Sequence, residues 1–248
     1  MVYIWNLWHG CKKYSEGCKN CYMYFLDKQR NPLIDSSIVK RTNNFNMPLK
    51  KNRQKEYKIP SGSLVFVNMT SDTFIEEADS WRDEMWEIIR KRTDVLFQII
   101  TKRIERVEKC LPSDWEDGYK NVIISVTCES QKQADKRIPI LLNLKACHKS
   151  LCIAPMLEEI NIEKYLTSGK IESISCGGEN YEGARICKYE WVKSLSSQCE
   201  KYKVNFDFFE TGTYFEKDGK VYFLPNKKIQ KEQAEKSNLS RHFFDIKI

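Results

Sequence analysis

The sequence predicts an α/β fold built on a parallel sheet, and two patterns carry that prediction. Short runs rich in Val, Ile and Phe recur along the 248 residues, and such runs are typical of strands buried on both faces. Amphipathic segments follow most of them at intervals of roughly 25 to 30 residues, as in repeated βαβ units. Seven such units favour a full or partial TIM-like (βα) barrel. The main alternative is an open doubly wound sheet, but the chain has no glycine-rich phosphate loop to favour it.

The predicted strands contain little charge and follow one another along the whole chain. They are Val2–Trp5, Leu64–Met69, Val95–Ile100, Asn121–Thr127, Ser150–Ala154, Ile171–Cys176 and Val204–Phe209. Helices are predicted between them, wherever apolar residues repeat at helical spacing. The clearest repeats are Trp81, Met85, Ile88 and Ile89; Ala134, Ile138, Leu141 and Leu142; and Trp191, Leu195 and Cys199.

Two segments interrupt this alternation. Residues 31–62 are polar and irregular, and they predict an insertion after the first helix. Residues 213–223 predict a β-hairpin, because alternating apolar residues flank Asp218-Gly219, a pair that favours a tight turn. A Lys-rich tail then runs to residue 248 and is expected to wrap the surface. Since no linker divides the chain, residues 1–248 are predicted to form a single barrel domain.

The chain is modestly basic, with 41 Lys and Arg against 34 Asp and Glu and a net charge of +7. Much of the excess lies in residues 39–58 and 226–241, which fits either simple solubility or an anionic partner such as nucleic acid. No apolar stretch approaches the roughly 20 residues that cross a bilayer, and no signal peptide is evident. We therefore expect a cytoplasmic protein with no membrane partner. Its ten cysteines should be reduced and available as ligands or catalytic groups.

Three of these cysteines lie close together in the stretch "WHGCKKYSEGCKNCY", residues 8–22. Cys11, Cys18 and Cys21 follow the first predicted strand, at the carboxyl end where active sites of parallel α/β folds collect. A helix beginning near Asn20 would direct its positive end towards Cys18 and Cys21 and favour their thiolates. Three thiolates on a [4Fe–4S] cluster leave one iron open for a ligand. A Cys3His zinc site completed by His9, or an incidental group of cysteines, are the alternatives.

A family resemblance appears at these residues. The stretch "YIWNLWHGCKKYSEGCKNCY" resembles the three-cysteine signature of the phage Gp37/Gp68-like proteins, the DUF5131 family of unknown function. Four further blocks resemble recurring blocks of that family: "FVNMTSDTF" (66–74), "ITKRIERV" (100–107), "SVTCES" (125–130) and "CGGENYEGAR" (176–185). The likeness therefore spans nearly the whole chain.

That family is in turn similar to the radical S-adenosylmethionine (SAM) enzymes, which carry a three-cysteine loop at the mouth of a partial TIM barrel. The resemblance implies a barrel of radical SAM type, with a [4Fe–4S] cluster held by Cys11, Cys18 and Cys21. It implies that SAM binds the open iron and is reductively cleaved to a 5′-deoxyadenosyl radical. The implied partners are an electron donor such as flavodoxin or ferredoxin and an unknown substrate: a small molecule, a peptide or a nucleic acid.

The chain departs from these patterns at four places. Its loop is Cx6CxxC instead of CxxxCxxC, and Asn20 stands where an aromatic residue normally precedes the last cysteine. An "EPL" block reads Ala154-Pro155-Met156, and an "FKQ" block reads Phe208-Phe209-Glu210. The loss of an acid and of a lysine indicates either an altered substrate pocket or a paralogue with a changed task.

Polar and charged residues follow several predicted strands and should converge on one face of the barrel. Asp72 follows the second strand and Lys102 the third, Ser125 and Glu129 flank the end of the fourth, and Arg185 follows the sixth. All five are candidate SAM-binding residues. Lys102 or Arg185 would bind the SAM carboxylate, Arg185 by a bidentate contact. Asp72, Glu129 or Glu179 would bind its amine or ribose.

Two further groups complete the candidate site. Gly177-Gly178-Glu179 resembles the radical SAM motif that meets the SAM amino group, although here it follows the sixth strand instead of the second. Cys128 and Cys176 end the fourth and sixth strands. They are predicted either to line the cavity as catalytic thiols, donating a hydrogen atom or adding a metal ligand, or to be small buried apolar residues.

A different class of function stays open at this point. The protein could be a nucleic-acid-binding protein without catalysis, stabilised by zinc or an iron–sulfur cluster. In that case the basic segments 39–58 and 226–241 would form its contact surface.

Overall fold

The computed structural model describes residues 1–246, so residues 247–248 of the predicted domain lie outside the described part. Its centre is a sheet of seven strands, all parallel. We number these strands β1 (Val2–Trp5), β2 (Leu64–Val67), β3 (Leu96–Thr101), β4 (Val122–Thr127), β5 (His148–Ile153), β6 (Ser173–Gly177) and β7 (Asn205–Glu210). Neighbours in the sheet are consecutive in this numbering, and the sheet curls into a half-barrel. The predicted partial (βα) barrel is therefore confirmed, and the doubly wound sheet is not.

Helices connect most of the strands. The α-helices are α1 (Tyr22–Arg30), α2 (Arg82–Lys91), α3 (Ile104–Val107), α4 (Gln131–Asn143), α5 (Glu163–Leu166), α6 (Tyr189–Tyr202) and α7 (Lys227–Lys236). Short 3-10 helices cover Glu16–Cys18, Met47–Leu49, Glu76–Trp81 and Glu108–Cys110. The three helical repeats of the sequence lie in α2, α4 and α6, except that Trp81 belongs to the 3-10 turn before α2.

Alternation along the strands gives the sheet two different faces. Side chains such as Val67, Ile99 and Ile124 are buried and belong to the hydrophobic core beneath the helices. Their neighbours along the strands point to the opposite, concave face. There, the paired positions Ser125 and Ser150 bring hydroxyl groups side by side. The core of the half-barrel is therefore on its outer, helix-covered side.

The insertion and the hairpin are both present. Within the insertion, Lys40–Arg41 pairs antiparallel with Trp8–His9. The hairpin joins Tyr214–Lys217 to Lys220–Phe223, and Cys187–Lys188 adds a third strand. Asp218 and Gly219 have φ angles of 51° and 69°, as a tight turn between twisted strands requires.

The tail forms α7 and then an extended segment along the edge of β7. Asn226 caps α7 by accepting a hydrogen bond from the backbone N–H of Lys228. Beyond the helix, Arg241 and Phe206 exchange two backbone hydrogen bonds of 2.8 Å. The predicted tail thus covers the β7 edge, whereas β1 is the opposite edge of the sheet.

Candidate metal centre

The cysteine loop, residues 10–21, crosses the carboxyl ends of the strands before α1 begins. The Gly10 backbone N–H donates to the Thr70 carbonyl at 3.2 Å, and the Cys11 N–H donates to the Ser36 carbonyl at 2.9 Å. Gly10 has a φ of +95°, and a Cβ atom there would lie 2.2 Å from the Ile38 carbonyl oxygen. Only glycine fits this entry into the loop.

The end of β4 supports the middle of the loop through Glu129. This carboxylate is completely buried and accepts a 2.7 Å hydrogen bond from Nη1 of Arg137. It also accepts hydrogen bonds from the Gly17 backbone N–H at 3.2 Å and from the Ser15 hydroxyl. A side chain at position 17 would collide with Glu129, since a Cβ atom would lie 2.9 Å from its Cγ. Glu129 is thus committed to holding the loop.

The segment after β6 fixes the same loop through Glu179 and Arg185. Arg185 donates to both carboxylate oxygens of Glu179, at 2.9 Å from Nε and 2.5 Å from Nη2. Asn20 donates to Glu179 at 2.9 Å, and Arg185 also donates to the Glu16 carbonyl at 3.0 Å. Burial alone would raise the pKa of Glu179, but the Arg185 and Asn20 contacts outweigh it and lower that pKa. Glu179 and Arg185 therefore form a clamp across the loop.

Asp72, after β2, organises the residues that follow β3. Its carboxylate accepts hydrogen bonds from the Thr101 hydroxyl at 2.8 Å and the Lys102 backbone N–H at 3.0 Å. Nη1 of Arg103 lies 3.3 Å from Oδ2 of Asp72. Arg103 also donates to the Lys12 carbonyl at 2.9 Å and is an electrostatic neighbour of the Cys11 thiol. Asp72 thereby places a cation next to the first cysteine.

The three cysteines are electrostatic neighbours of one another and share charged neighbours. Burial raises the pKa of Cys11 to about 12, with Asp72 the next contributor. Burial also raises the pKa of Cys21, although the backbone N–H groups of Met23 and Tyr24 lower it in part. The start of α1 therefore does favour the Cys21 thiolate, as expected, but burial outweighs that effect. Metal binding here would release protons.

Lys102 brings a second cation to the loop, as a neighbour of Cys18 and Cys21. Burial lowers the pKa of Lys102, whereas the neighbouring Cys18, Glu129 and Cys152 raise it. Their combined effect is larger than that of burial, so the net shift is upward. Among residues 1–246, its ammonium makes no hydrogen bond or ion pair. Of the two candidates for an anionic group, Lys102 is thus free in this part of the chain, whereas Arg185 is engaged by Glu179.

The arrangement argues against a single shared ion. Within residues 1–246, no three His, Cys, Asp or Glu side chains converge as ligands of one metal ion. His9, the proposed fourth zinc ligand, instead forms a 2.8 Å hydrogen bond with Asp27. Thiolates sharing one zinc at about 2.3 Å must lie within about 4 Å of one another. A [4Fe–4S] cluster binds each thiolate to a different iron and so requires a wider spacing between the sulfurs.

The remaining predicted cofactor-binding residues, Gly177, Gly178 and Ser125, are packed against neighbouring parts of the fold. A Cβ atom on Gly178 would lie 2.2 Å from the Thr211 carbonyl oxygen, and one on Gly177 would lie 2.6 Å from the Phe209 ring. Both glycines thus allow the turn after β6 to approach the end of β7. The Ser125 hydroxyl is buried within β4 and has no partner among the described residues.

The two predicted catalytic thiols lie in the core, which corrects the expectation that they line the cavity. Cys176 is aligned with Ile153 and Phe208 on the helix-covered face, and its sulfur lies 3.6 Å from that of Met156. Cys128 is fully buried among apolar side chains. Desolvation raises the pKa of both thiols. They are small buried apolar residues, the alternative that the sequence left open.

Sequence reasoning missed a different thiol, Cys152. It is aligned with Ser175 on the concave face and electrostatically neighbours Lys102 and Tyr22. The two-residue alternation within Ser150–Ala154 could have separated Cys152 from the core positions. Two residues beside the loop, Tyr22 and Tyr181, were not singled out from the sequence, whereas Glu210 was noted only as part of the altered Phe208-Phe209-Glu210 block.

The concave face continues as a groove away from the cysteines, towards the amino ends of the strands. The groove has a volume of ≈ 400 Å³. Its lining combines apolar and polar side chains, including those of Phe66, Gln98, Ser175, Asn205 and Asp207.

The fold and the site define the class: an α/β half-barrel with a three-cysteine loop fastened over the carboxyl ends of its strands. The family model described as "Protein of unknown function (DUF5131)" matches residues 2–245. The chain belongs to the DUF5131 family. Comparisons with curated proteins and with solved structures gave no match. Among residues 1–246, no helix has the length and apolar character needed to span a membrane.

Proposed function

We propose that this protein is a radical SAM-type enzyme in which Cys11, Cys18 and Cys21 hold a [4Fe–4S] cluster. The observation that carries the proposal is the attachment of the cysteine loop to the ends of β2, β3, β4 and β6. A loop that only stabilised the fold would need fewer such contacts with the mouth of the half-barrel. When bound, the cluster would supply the electron that reductively cleaves SAM to a 5′-deoxyadenosyl radical.

The residues around the loop have separable roles in this proposal. Arg103 is an electrostatic neighbour of Cys11, and its positive charge favours the thiolate of that residue. Lys102 adds a positive charge beside Cys18 and Cys21, where an anionic group of SAM or of the substrate can be bound. Glu129 and the Glu179–Arg185 clamp hold the loop in place.

The alternative of a zinc-stabilised nucleic-acid-binding protein has less support. Residues 39–58 pack at the β1 side, where the Thr42 N–H donates to the Leu7 carbonyl and the Trp5 indole donates to the Phe45 carbonyl. Residues 226–241 pack on β7, at the other edge of the sheet. The two basic segments therefore do not combine into the contact surface that this alternative requires.

Anaerobic purification tests the proposal directly. We expect a brown protein with about four iron and four sulfide ions per chain. With SAM and a chemical reductant, it should release 5′-deoxyadenosine, detected by mass spectrometry. Cys11→Ala, Cys18→Ala and Cys21→Ala should each lose iron and product. Cys147→Ala is the matched control, because Cys147 is exposed and lies outside the loop.

Two outcomes would refute the proposal. One is a colourless protein that binds a single zinc ion. The other is full iron content in all three loop variants.

A further inference from the structure

A cage for a positive charge lies beside the cysteine loop, and the chain fills it with one of its own lysines. The Lys227 ammonium lies 5.8 Å from the ring centre of Tyr22 and 5.6 Å from that of Tyr181. Its nitrogen is 3.6 Å from Oε2 of Glu210. Two aromatic faces and a carboxylate around one ammonium form the arrangement by which proteins recognise organic cations.

The walls of the cage are held independently of Lys227. The Tyr181 ring stacks on Phe25 with centroids 4.5 Å apart and planes at 14°. The Tyr181 backbone N–H donates to the Thr213 hydroxyl at 2.9 Å, and the Tyr22 hydroxyl donates to the Met69 carbonyl. Both rings therefore keep their positions if the lysine leaves.

The orientation of the Glu210 carboxylate is also fixed without Lys227. Asn180 donates from Nδ2 to Oε1 of Glu210 at 2.7 Å, which leaves Oε2 directed to the cation. This contact fixes the orientation of the Asn180 amide, and its Oδ1 atom is buried without a partner among the described residues. Burial raises the pKa of Glu210 in spite of Lys227, so a well-placed cation stabilises its ionised form.

Lys227, in contrast, is poorly fixed. Its side chain is 51% exposed, and its 3.6 Å distance to Glu210 is longer than a direct charge-assisted hydrogen bond. It is also the first residue of α7, where the helix dipole disfavours a positive charge. An incoming cation can therefore displace it at small cost.

We propose that Tyr22, Tyr181 and Glu210 bind an alkylammonium group of the substrate, and that Lys227 occupies this cage until the ligand arrives. Tyr22 directly follows Cys21 and electrostatically neighbours both Cys152 and Glu210. The cage therefore places an amine-bearing ligand at the edge of the cysteine loop. The proposal uses none of the three cysteines and does not depend on a cluster.

Titration of the full chain with n-butylammonium, followed by two-dimensional amide NMR, tests this site. We expect shifts at Tyr22, Tyr181 and Glu210, and none with the neutral isostere n-butanol. Lys227→Ala should bind about twofold to fivefold more tightly, because it removes an exposed internal competitor. Glu210→Gln should bind about tenfold or more weakly, because it removes the charged acceptor.

Two further variants serve as controls. Lys228→Ala should match the unaltered protein, because Lys228 is 85% exposed in its side chain and pairs loosely with Glu232. Lys227→Arg keeps the positive charge in the cage and should not bind more tightly. The proposal fails if Lys227→Ala binds no better than the unaltered protein, if Glu210→Gln keeps its affinity, or if n-butanol shifts the same amides.

Discussion

The guanidinium of Arg103 pairs with the buried carboxylate of Asp72. Its Nη1 atom lies 3.3 Å from Oδ2 of Asp72, and both side chains are nearly buried. The same guanidinium donates to the Lys12 carbonyl and is an electrostatic neighbour of Cys11, a candidate metal ligand. The position of the first cysteine is therefore linked to the ends of β2 and β3.

Asp72→Asn should lower the free energy of unfolding by about 3 kcal/mol, because it leaves the Arg103 charge buried and unpaired. Urea unfolding of the metal-free protein measures this loss. The control is Asp117→Asn, which disrupts the exposed pair with Lys145 and should change stability by less than about 1 kcal/mol. Equal effects of the two substitutions would contradict the coupling.

Arg103→Gln should make the proposed cluster harder to reduce, because it removes a positive charge that neighbours Cys11. A loss of about 1 kcal/mol corresponds to a shift of roughly 40 mV to more negative potential for one electron. Redox titration followed by electron paramagnetic resonance measures it. Arg90→Gln, which alters an exposed pair with Asp114, should leave the potential unchanged.

Gly10→Ala should prevent the cysteine loop from closing. The new Cβ atom would meet the Ile38 carbonyl oxygen at 2.2 Å, so the backbone must shift. We expect reduced iron loading and a stability loss of about 2 kcal/mol or more. Gly62→Ala is a matched control, because Gly62 also has a positive φ, of 75°, but its Cβ atom would have no neighbour within 4 Å. If both variants load iron equally, the close contact at Gly10 does not matter.

Glu179 should contribute a pH-dependent part of the stability. Its pKa in the folded protein is lowered by Arg185 and Asn20, so its contribution is complete above the ordinary Glu pKa of about 4.3. The contribution is lost as the pH falls through the lower, folded-state pKa. The stability gap between the unaltered protein and Glu179→Gln should therefore narrow between about pH 4.5 and pH 3.

Urea unfolding at several pH values measures that gap. Glu182→Gln is the control, because Glu182 is an exposed carboxylate in the same loop. A gap that stays constant, or that widens in acid, would show that the clamp does not depend on the ionised carboxylate.

The strands were predictable because the helix-covered face needs an apolar side chain at every second position. The residues at which the strands end were harder to predict. Leu64–Met69 was predicted as a strand, but β2 ends at Val67. Asn68 adopts a φ of 54°, and its side chain accepts a hydrogen bond from the Leu7 backbone N–H at 2.9 Å. Because Leu7 is 61 positions away from Asn68, the residues around Asn68 do not indicate that the strand ends there.

The candidate site could likewise be predicted only in part. Residues that follow strands could be expected to converge at the mouth, and Asp72, Lys102, Glu129 and Arg185 all lie around the cysteine loop. Which of them are already engaged by neighbours depends on three-dimensional contacts. Cys152 lies on the concave face and Cys176 on the helix-covered face because of the register of their strands. A shift of one residue in that register would move each side chain to the opposite face.

The two edge strands of the curled sheet, β1 and β7, differ in how far the rest of the chain covers them. Along β7, the backbone groups of Phe206 are paired with Arg241, so the chain itself closes that side. On β1, Val2 and Ile4 are 64% and 55% exposed. The concave face is therefore exposed to solvent at its β1 border, whereas the chain's own tail pairs with the backbone of its β7 border.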